Sequence, residues 1–287
     1  MDVDDNPGPN RAGASASEDA EPLTAAGRAP APPRLAATVV LVRPAQAGFE
    51  TYIIRRAATM VYGGIYAFPG GTVDPADFHP IDWCGPTPEE WGRRLALPPE
   101  VAHAVVCAAA REVFEEAGVL LAGPGPDAVV GDVSGADWER VRMALVAREI
   151  EFADLLRDRG LVLRTDLMAP WARWITPESR PRRFDTYFFV AALPPGQRTR
   201  EASEEADHTM WVRPAEVLAQ VEAGDVQMLP PTFVTLSEVA VCETVADVFA
   251  AAAHRDGGTP VPRQLHARAA DVAGVRLARS RITRSGR

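Results

Sequence analysis

Residues 111–119 read Arg-Glu-Val-Phe-Glu-Glu-Ala-Gly-Val. Glu112, Glu115 and Glu116 stand at i, i+3 and i+4, so a helix would carry three carboxylates on one face, about one turn apart. Like charges so placed repel by roughly a few tenths of a kcal/mol per pair. Gly118 reads as a helix C-cap, which puts these acids at the negative end of the helix dipole. Two local rules are broken within one turn, and such violations gather at functional sites. A hard divalent cation resolves both, because it takes oxygen ligands and neutralises the cluster. The plain alternative is a solvated acidic helix end.

The helix that must present these acids is expected over about 100–117, opened by Pro98-Pro99-Glu100. Val105, Ala109, Val113 and Ala117 form one apolar row with Val106 and Phe114 beside it, so that face should pack inward while the glutamates point elsewhere. Upstream, 35–42 (LAATVVLV) reads as a buried strand and 49–55 (FETYIIR) as its hairpin partner, turning at 46–48. Pro69-Gly70-Gly71 predicts a tight turn that lets another group approach the backbone closely. Residues 72–100 read as an inserted loop with a short helix near 88–91. Downstream, a strand begins at 119–121, loop fills 123–135, and one helical stretch covers 137–159. Strands follow at 171–175, 184–193 and 209–212. A helix from Pro214 ends at Gly224, and a last one covers 231–254. Residues 1–34 form a Pro/Gly/Ala/Ser/acid-rich tail with no apolar period, expected to be disordered. A loose Arg-rich tail is expected over 255–287.

Composition removes several classes. No run approaches the ~18 apolar residues of a membrane span, and the acidic N-terminus is no secretory signal. Cys84, Cys107 and Cys242 are odd in number and far apart, which suggests reduced thiols in the cytoplasm rather than a disulfide frame or zinc site. A net charge of −9 argues against nucleic acid as the main partner. Every basic side chain is Arg, a residue able to grip phosphate with two parallel hydrogen bonds.

Gly71 followed by Arg111-Glu112-Val113-x-Glu115-Glu116-x-Gly118-Val119 resembles the Nudix box, G-x5-E-x7-R-E-U-x-E-E-x-G-U, with Phe68-Pro69-Gly70-Gly71 as its lead-in. The second half matches fully. Gly71 to Arg111 spans 40 positions where the pattern needs 14, so 26 extra residues interrupt the box. Counted back from Arg111, the first consensus glutamate falls on His103, which is expected to be a core or surface histidine. The interrupted box is similar to the Nudix branch of peroxisomal coenzyme A diphosphatases and their bacterial relatives. Trp174-Ile175-Thr176-Pro177, Arg182-Arg183-Phe184-Asp185-Thr186 and Leu229-Pro230-Pro231 also resemble motifs of that branch.

The resemblance, which covers about 35–250, implies an α/β fold with its domain over 35–254: a Nudix α/β/α sandwich with a mixed sheet, an insertion inside the box (72–100) and a C-terminal accessory helix. It implies Mg²⁺ or Mn²⁺ held by Glu112, Glu115 and Glu116 with the Gly70 carbonyl. Arg111 would orient a box glutamate, and Glu112 or Glu116 would take a proton from the attacking water. Glu201, Glu204 and Glu205 are candidates for a further acid, and Arg55, Arg56, Arg182 and Arg183 for phosphate grips. The implied reaction is hydrolysis of a diphosphate linkage in a nucleoside diphosphate derivative, with coenzyme A or acyl-CoA leading. Arg56 and Met60 depart from the coenzyme A signature, where a small residue and a second Arg are usual. ADP-ribose or NADH is therefore the enzymatic alternative, and a Nudix-like sensor that binds without cutting is the non-enzymatic one. The expected partner is a small nucleotide rather than a membrane, and the reading leaves room for a homodimer.

Overall fold

The computed structural model describes residues 30–56, 64–200, 206–255 and 262–263 of the 287-residue chain. Most of both tails falls outside these residues, as do Met60 and Glu201, Glu204 and Glu205. Arg34, assigned above to the N-terminal tail, opens the first strand.

β1 (Arg34–Ala45) and β2 (Gly48–Arg56) form the expected hairpin, antiparallel with Ala45 opposite Gly48. Gly48 takes φ +90°, a region L side chains rarely adopt. β3 (Tyr66–Ala67) pairs with the end of β2. β4 (Gly70–Thr72) pairs antiparallel with Ala36–Thr38 of β1. The predicted tight turn at 69–71 is therefore corrected: its glycines lie in a short strand against the start of β1.

The insertion holds the short helix expected near 88–91, and more than loop besides. A 3₁₀ turn (Pro75–Phe78), β5 (Trp83–Cys84) and α1 (Pro88–Leu95) fill it. Thr87 and Glu90 close a reciprocal cap at the start of α1. Trp91 and Leu95 are wholly buried, and Trp91 meets Phe189 edge-on. α2 (Pro99–Ala117) follows and packs against α1.

Beyond α2 the apolar run 119–121 is buried but not strand; only β6 (Ala122–Gly123) is. Gln197 supplies the missing pairing: its Oε1 accepts the Leu120 N–H and its Nε2 donates to the Leu120 carbonyl, both at 2.8 Å. The single helix expected over 137–159 is two, α3 (Ala136–Val146) and α4 (Phe152–Asp158), broken where Arg148 takes φ +58°. β7 (Val162–Arg164) joins β5 and β6 in a three-stranded sheet.

β8 (Met168–Ile175), β9 (Phe184–Ala192) and β10 (Ala206–Val212) complete the main sheet with β11 (Pro262–Arg263). Its order is β10-β2-β1-β9-β8-β11, and the β1–β9 pair is parallel among antiparallel neighbours, so the sheet is mixed. α5 (Pro214–Ala223) ends at Gly224 with φ +88°. The expected last helix is also two, α6 (Pro230–Val239) and α7 (Val245–His254), because Thr244 and Asp247 cap a new start.

Alternation along the strands divides the core. Val39, Leu41, Tyr52, Ile54, Tyr187 and Phe189 face the α1–α2 side, while Val40, Val42, Ile53, Phe188 and Val190 face α5–α7. Helices on both faces of a mixed sheet make the three layers expected, with two C-terminal helices, α6 and α7, in place of one accessory helix.

Candidate active site

α2 ends at Gly118, which takes φ +66° and whose N–H bonds back to the Phe114 carbonyl at 3.0 Å. A Cβ on Gly118 would lie 2.4 Å from Cγ of Arg200, so the glycine is required twice over. The expectation that the glutamates point away from the packed face is corrected. α2 lies between the main sheet and the insertion, and it is buried almost all round. Glu112 and Glu116 are each only 8% exposed, and Glu115 is half-buried.

The glycine pair faces these acids. The Gly70 N–H donates to Glu116 Oε2 at 2.7 Å. A Cβ on Gly71 would stand 2.4 Å from Glu112 Oε1, so only glycine lets that carboxylate sit against the strand. Strand β4 and the last turns of α2 thus form two walls of one acidic pocket.

The third wall comes from the 3₁₀ turn and was missed in the sequence. Asp77, 1% exposed, receives Arg111 Nε and Nη2 in a fork at 2.9 and 3.0 Å. Arg111 Nη1 reaches Glu112 Oε1 at 2.8 Å and Glu115 Oε1 at 3.1 Å, and Nη2 also donates to the Thr72 carbonyl at 3.1 Å. Asp77 lies six positions after Gly71, where the box pattern places its first acid. The 26 additional residues therefore follow that acid, and 33 residues separate Asp77 from Arg111 where the pattern has seven. Counting forward from Gly71 would have found it; counting back from Arg111 lands on His103. His103 stacks on Trp83, with ring centroids 4.9 Å apart, and burial lowers its pKa.

Four acids and one guanidinium share this pocket: Asp77, Glu112, Glu115 and Glu116 against Arg111. With every acid ionised the sum is −3, in a largely buried place. Burial pushes the Glu112 carboxyl up to about 7, against the pull of Arg111, and raises Glu115 for the same reason. Oxygen-only donors with surplus negative charge fit a hard divalent cation. Among the described residues no three His, Cys, Asp or Glu side chains are already gathered as a metal cage. Arg111 holds one oxygen of Glu112 and one of Glu115, and Gly70 holds one of Glu116.

The structure thus brings together Gly70, Arg111, Glu112, Glu115 and Glu116. The arginines proposed as phosphate grips come from two other places in the fold, the end of β2 and the β8–β9 connection. Arg55 and Arg56 are consecutive at the end of β2, so they face opposite sides. Arg182 is exposed in the β8–β9 connection. Arg183 is buried, its guanidinium donating to the carbonyls of Thr176 (3.1 Å) and Ala31 (2.8 Å). These contacts make Arg183 a tie between the β8–β9 connection and the chain entering β1.

Comparison with known proteins follows the same lines. The family model of the NUDT19 Nudix domain matches residues 86–239. Curated relatives include the acyl-coenzyme A diphosphatase NUDT19 of Gallus gallus, 28% identical over 226 residues, covering 64% of this chain and 58% of that protein. The Homo sapiens protein of the same name is 28% identical over 246 residues, covering 71% and 64%. The matched segment thus spans 58% and 64% of those two relatives' lengths. The crystal structure of a NUDIX hydrolase from Alicyclobacillus acidocaldarius superimposes with a TM-score of 0.58 at 28% identity, covering 76% of this chain and 96% of that one.

Proposed function

This chain belongs to the NUDT19 Nudix domain family, and from that premise we propose that it hydrolyses the diphosphate linkage of coenzyme A or an acyl-CoA. The observation that carries the proposal is the Asp77–Arg111–Glu112/Glu115 network facing Gly70-Gly71. With Glu116 on the Gly70 N–H, it supplies a full set of box acids despite the interruption, whereas a non-cutting sensor has no need to keep them. The relatives named as acyl-coenzyme A diphosphatases point to the same substrate.

Mg²⁺ or Mn²⁺ would be held by Glu112, Glu115 and Glu116 with the Gly70 carbonyl. Such an ion would neutralise the diphosphate and acidify the attacking water. Arg111 fixes two of these glutamates and is itself fixed by Asp77, so the donor set is oriented before substrate arrives. Glu112 or Glu116 accepts the water's proton; burial, which pushes Glu112 up to about 7, favours the protonated form this step creates. The water oxygen bonds to one phosphorus and the bridging P–O bond breaks. The products are two phosphate monoesters, 3′,5′-ADP and the phosphopantetheine or its acyl form. Arg55, Arg56 and the exposed Arg182 remain candidates for gripping the departing phosphates.

ADP-ribose or NADH is the second reading, favoured by Arg56 standing where the coenzyme A signature has a small residue. Three free thiols suit a reducing compartment, and we place the protein in the cytoplasm. Among the described residues no helix is long and apolar enough to cross a membrane. The test is a panel of CoA, acyl-CoA, ADP-ribose and NADH with Mg²⁺ or Mn²⁺, products read by mass spectrometry. CoA cleaved to 3′,5′-ADP supports the proposal. ADP-ribose turnover with CoA untouched overturns the substrate, and no turnover on any member overturns the hydrolase.

A further inference from the structure

α3 ends in a glycine-type cap without a glycine. The Arg148 N–H bonds to the Leu145 carbonyl and the Glu149 N–H to the Ala144 carbonyl, both at 2.9 Å, which is the Schellman pairing. Arg148 occupies the left-handed position at φ +58°, where an L side chain is disfavoured. Ala96 does the same after α1, so positive φ alone is not the argument. What sets Arg148 apart is where its side chain goes.

The guanidinium reaches out of α3's turn to the Asp74 carboxylate, on the loop between Gly71 and Asp77. Asp74 caps the 3₁₀ turn: its Oδ1 accepts the Ala76 N–H at 3.0 Å, and its own N–H donates to Asp77 Oδ2 at 2.8 Å. Asp77 then holds Arg111, and Arg111 holds Glu112 and Glu115. α3 is anchored to the same turn of α2 by Arg142, whose Nη1 donates to the Glu115 carbonyl. The Arg148 side chain is 67% exposed, and an exposed ion pair adds little stability. Left-handed backbone costs stability, so folding alone would favour glycine here. An arginine held against that preference, at the head of a chain of bonds that ends on the box glutamates, calls for another role.

We propose that Arg148 is a positioning residue for the hydrolytic centre, acting through Asp74 and the capped turn to hold Asp77, and so Arg111 and the glutamates, in register. The inference rests on the diphosphatase reading. Arg148 itself lies outside the box, in a segment that the box pattern does not describe.

Arg148→Gly separates this role from a structural one, because glycine relieves the backbone while deleting the guanidinium. In the full chain, R148G should keep or raise the thermal midpoint. Its Mn²⁺ affinity, titrated by electron paramagnetic resonance, should fall about tenfold, and kcat similarly, with KM near the parent's. Arg148→Lys should recover part of both. The R148G/D74A double variant should be no worse than D74A, because both changes break one relay. Wild-type Mn²⁺ affinity and kcat in R148G would overturn the proposal, as would losses that multiply in the double variant. A change confined to KM would also overturn it, since it would place Arg148 on the substrate. Should the parent chain cleave nothing in the panel, the diphosphatase reading fails, and the Mn²⁺ titration still decides the relay.

Discussion

Replacing Asp77 by Asn is the sharpest test of how the interrupted box is closed. Asp77 is 1% exposed and takes two guanidinium N–H groups at 2.9 and 3.0 Å. Removing one member of a buried ion pair costs about 3–5 kcal/mol. Asparagine keeps the shape and one acceptor oxygen, and Arg111 retains Glu112 and Glu115 as counter-charges. The lower end, about 3 kcal/mol, is therefore expected. For a folded unit of some 200 residues that is a fall of about 6–12 °C in thermal midpoint. The functional loss should exceed what stability explains: with its fork gone, Arg111 turns toward the glutamates and takes donor oxygens from the cation. A fall of about 10- to 100-fold in kcat follows, measured below the new midpoint at saturating Mn²⁺. His103→Gln is the control, because His103 occupies the position reached by counting back from Arg111. It should stay within about twofold of the parent in kcat. If D77N keeps its midpoint within about 2 °C and its turnover within about twofold, or H103Q loses as much, the assignment of Asp77 is wrong.

Gly71→Ala places a Cβ 2.4 Å from Glu112 Oε1 on a strand pinned to β1; steady-state kinetics should show at least about a tenfold loss in kcat, with about 1–3 kcal/mol of destabilisation by urea. Burial raises the Glu112 carboxyl from 4.5 to about 7, so its contribution favours the cation-free fold most at low pH and declines as pH rises from the unfolded value to the folded one. A bound cation offsets that decline, so the Mg²⁺-induced rise in thermal midpoint, relative to EDTA, should be larger near about pH 8 than near about pH 5; an equal or smaller rise would contradict the electrostatic account. Gln197→Leu strips three hydrogen bonds, each 2.8 Å, from the buried N–H and carbonyl of Leu120 and from the Val130 carbonyl. Urea denaturation should register a loss of about 3 kcal/mol, and a variant within about 0.5 kcal/mol of the parent would refute the claim that this side chain stands in for a strand.

What could be read from the sequence was local. The β1–β2 hairpin announces itself by apolar runs around Gln46-Ala47-Gly48, and α2 by its apolar row and Gly118. The breaks were not read, because both interrupt helices with ordinary residues. Arg148 takes a conformation usually given to glycine, and nothing in 137–159 marks it. Thr244-x-x-Asp247 did carry a capping signal, hidden inside an unbroken apolar period. The outward-facing glutamates were misjudged because what faces them, β4 and the 3₁₀ turn that supplies Asp77, lies more than thirty residues earlier in the chain. Arg183 shows the limit of reading charge as function: beside Arg182 in sequence, it is spent on two backbone carbonyls.

Asp77 shows why a box can be cut and still close. Lengthening the link from Asp77 to Arg111 from seven residues to 33 raises the entropy of closing it by only about 1.4 kcal/mol, since the cost grows as the logarithm of length. The insertion more than offsets this by its own packing. Trp91 and Leu95 are wholly buried, and each such side chain contributes roughly 1.5–3 kcal/mol. The place of the cut matters more than its size. Gly71 to Asp77 must keep its length, because Gly71 abuts Glu112 while Asp77, six residues on, must reach the arginine next to Glu112. Arg111 to Gly118 must keep its helical phase. The stretch between the first acid and Arg111 is bound by neither constraint, and it is there that the additional residues lie.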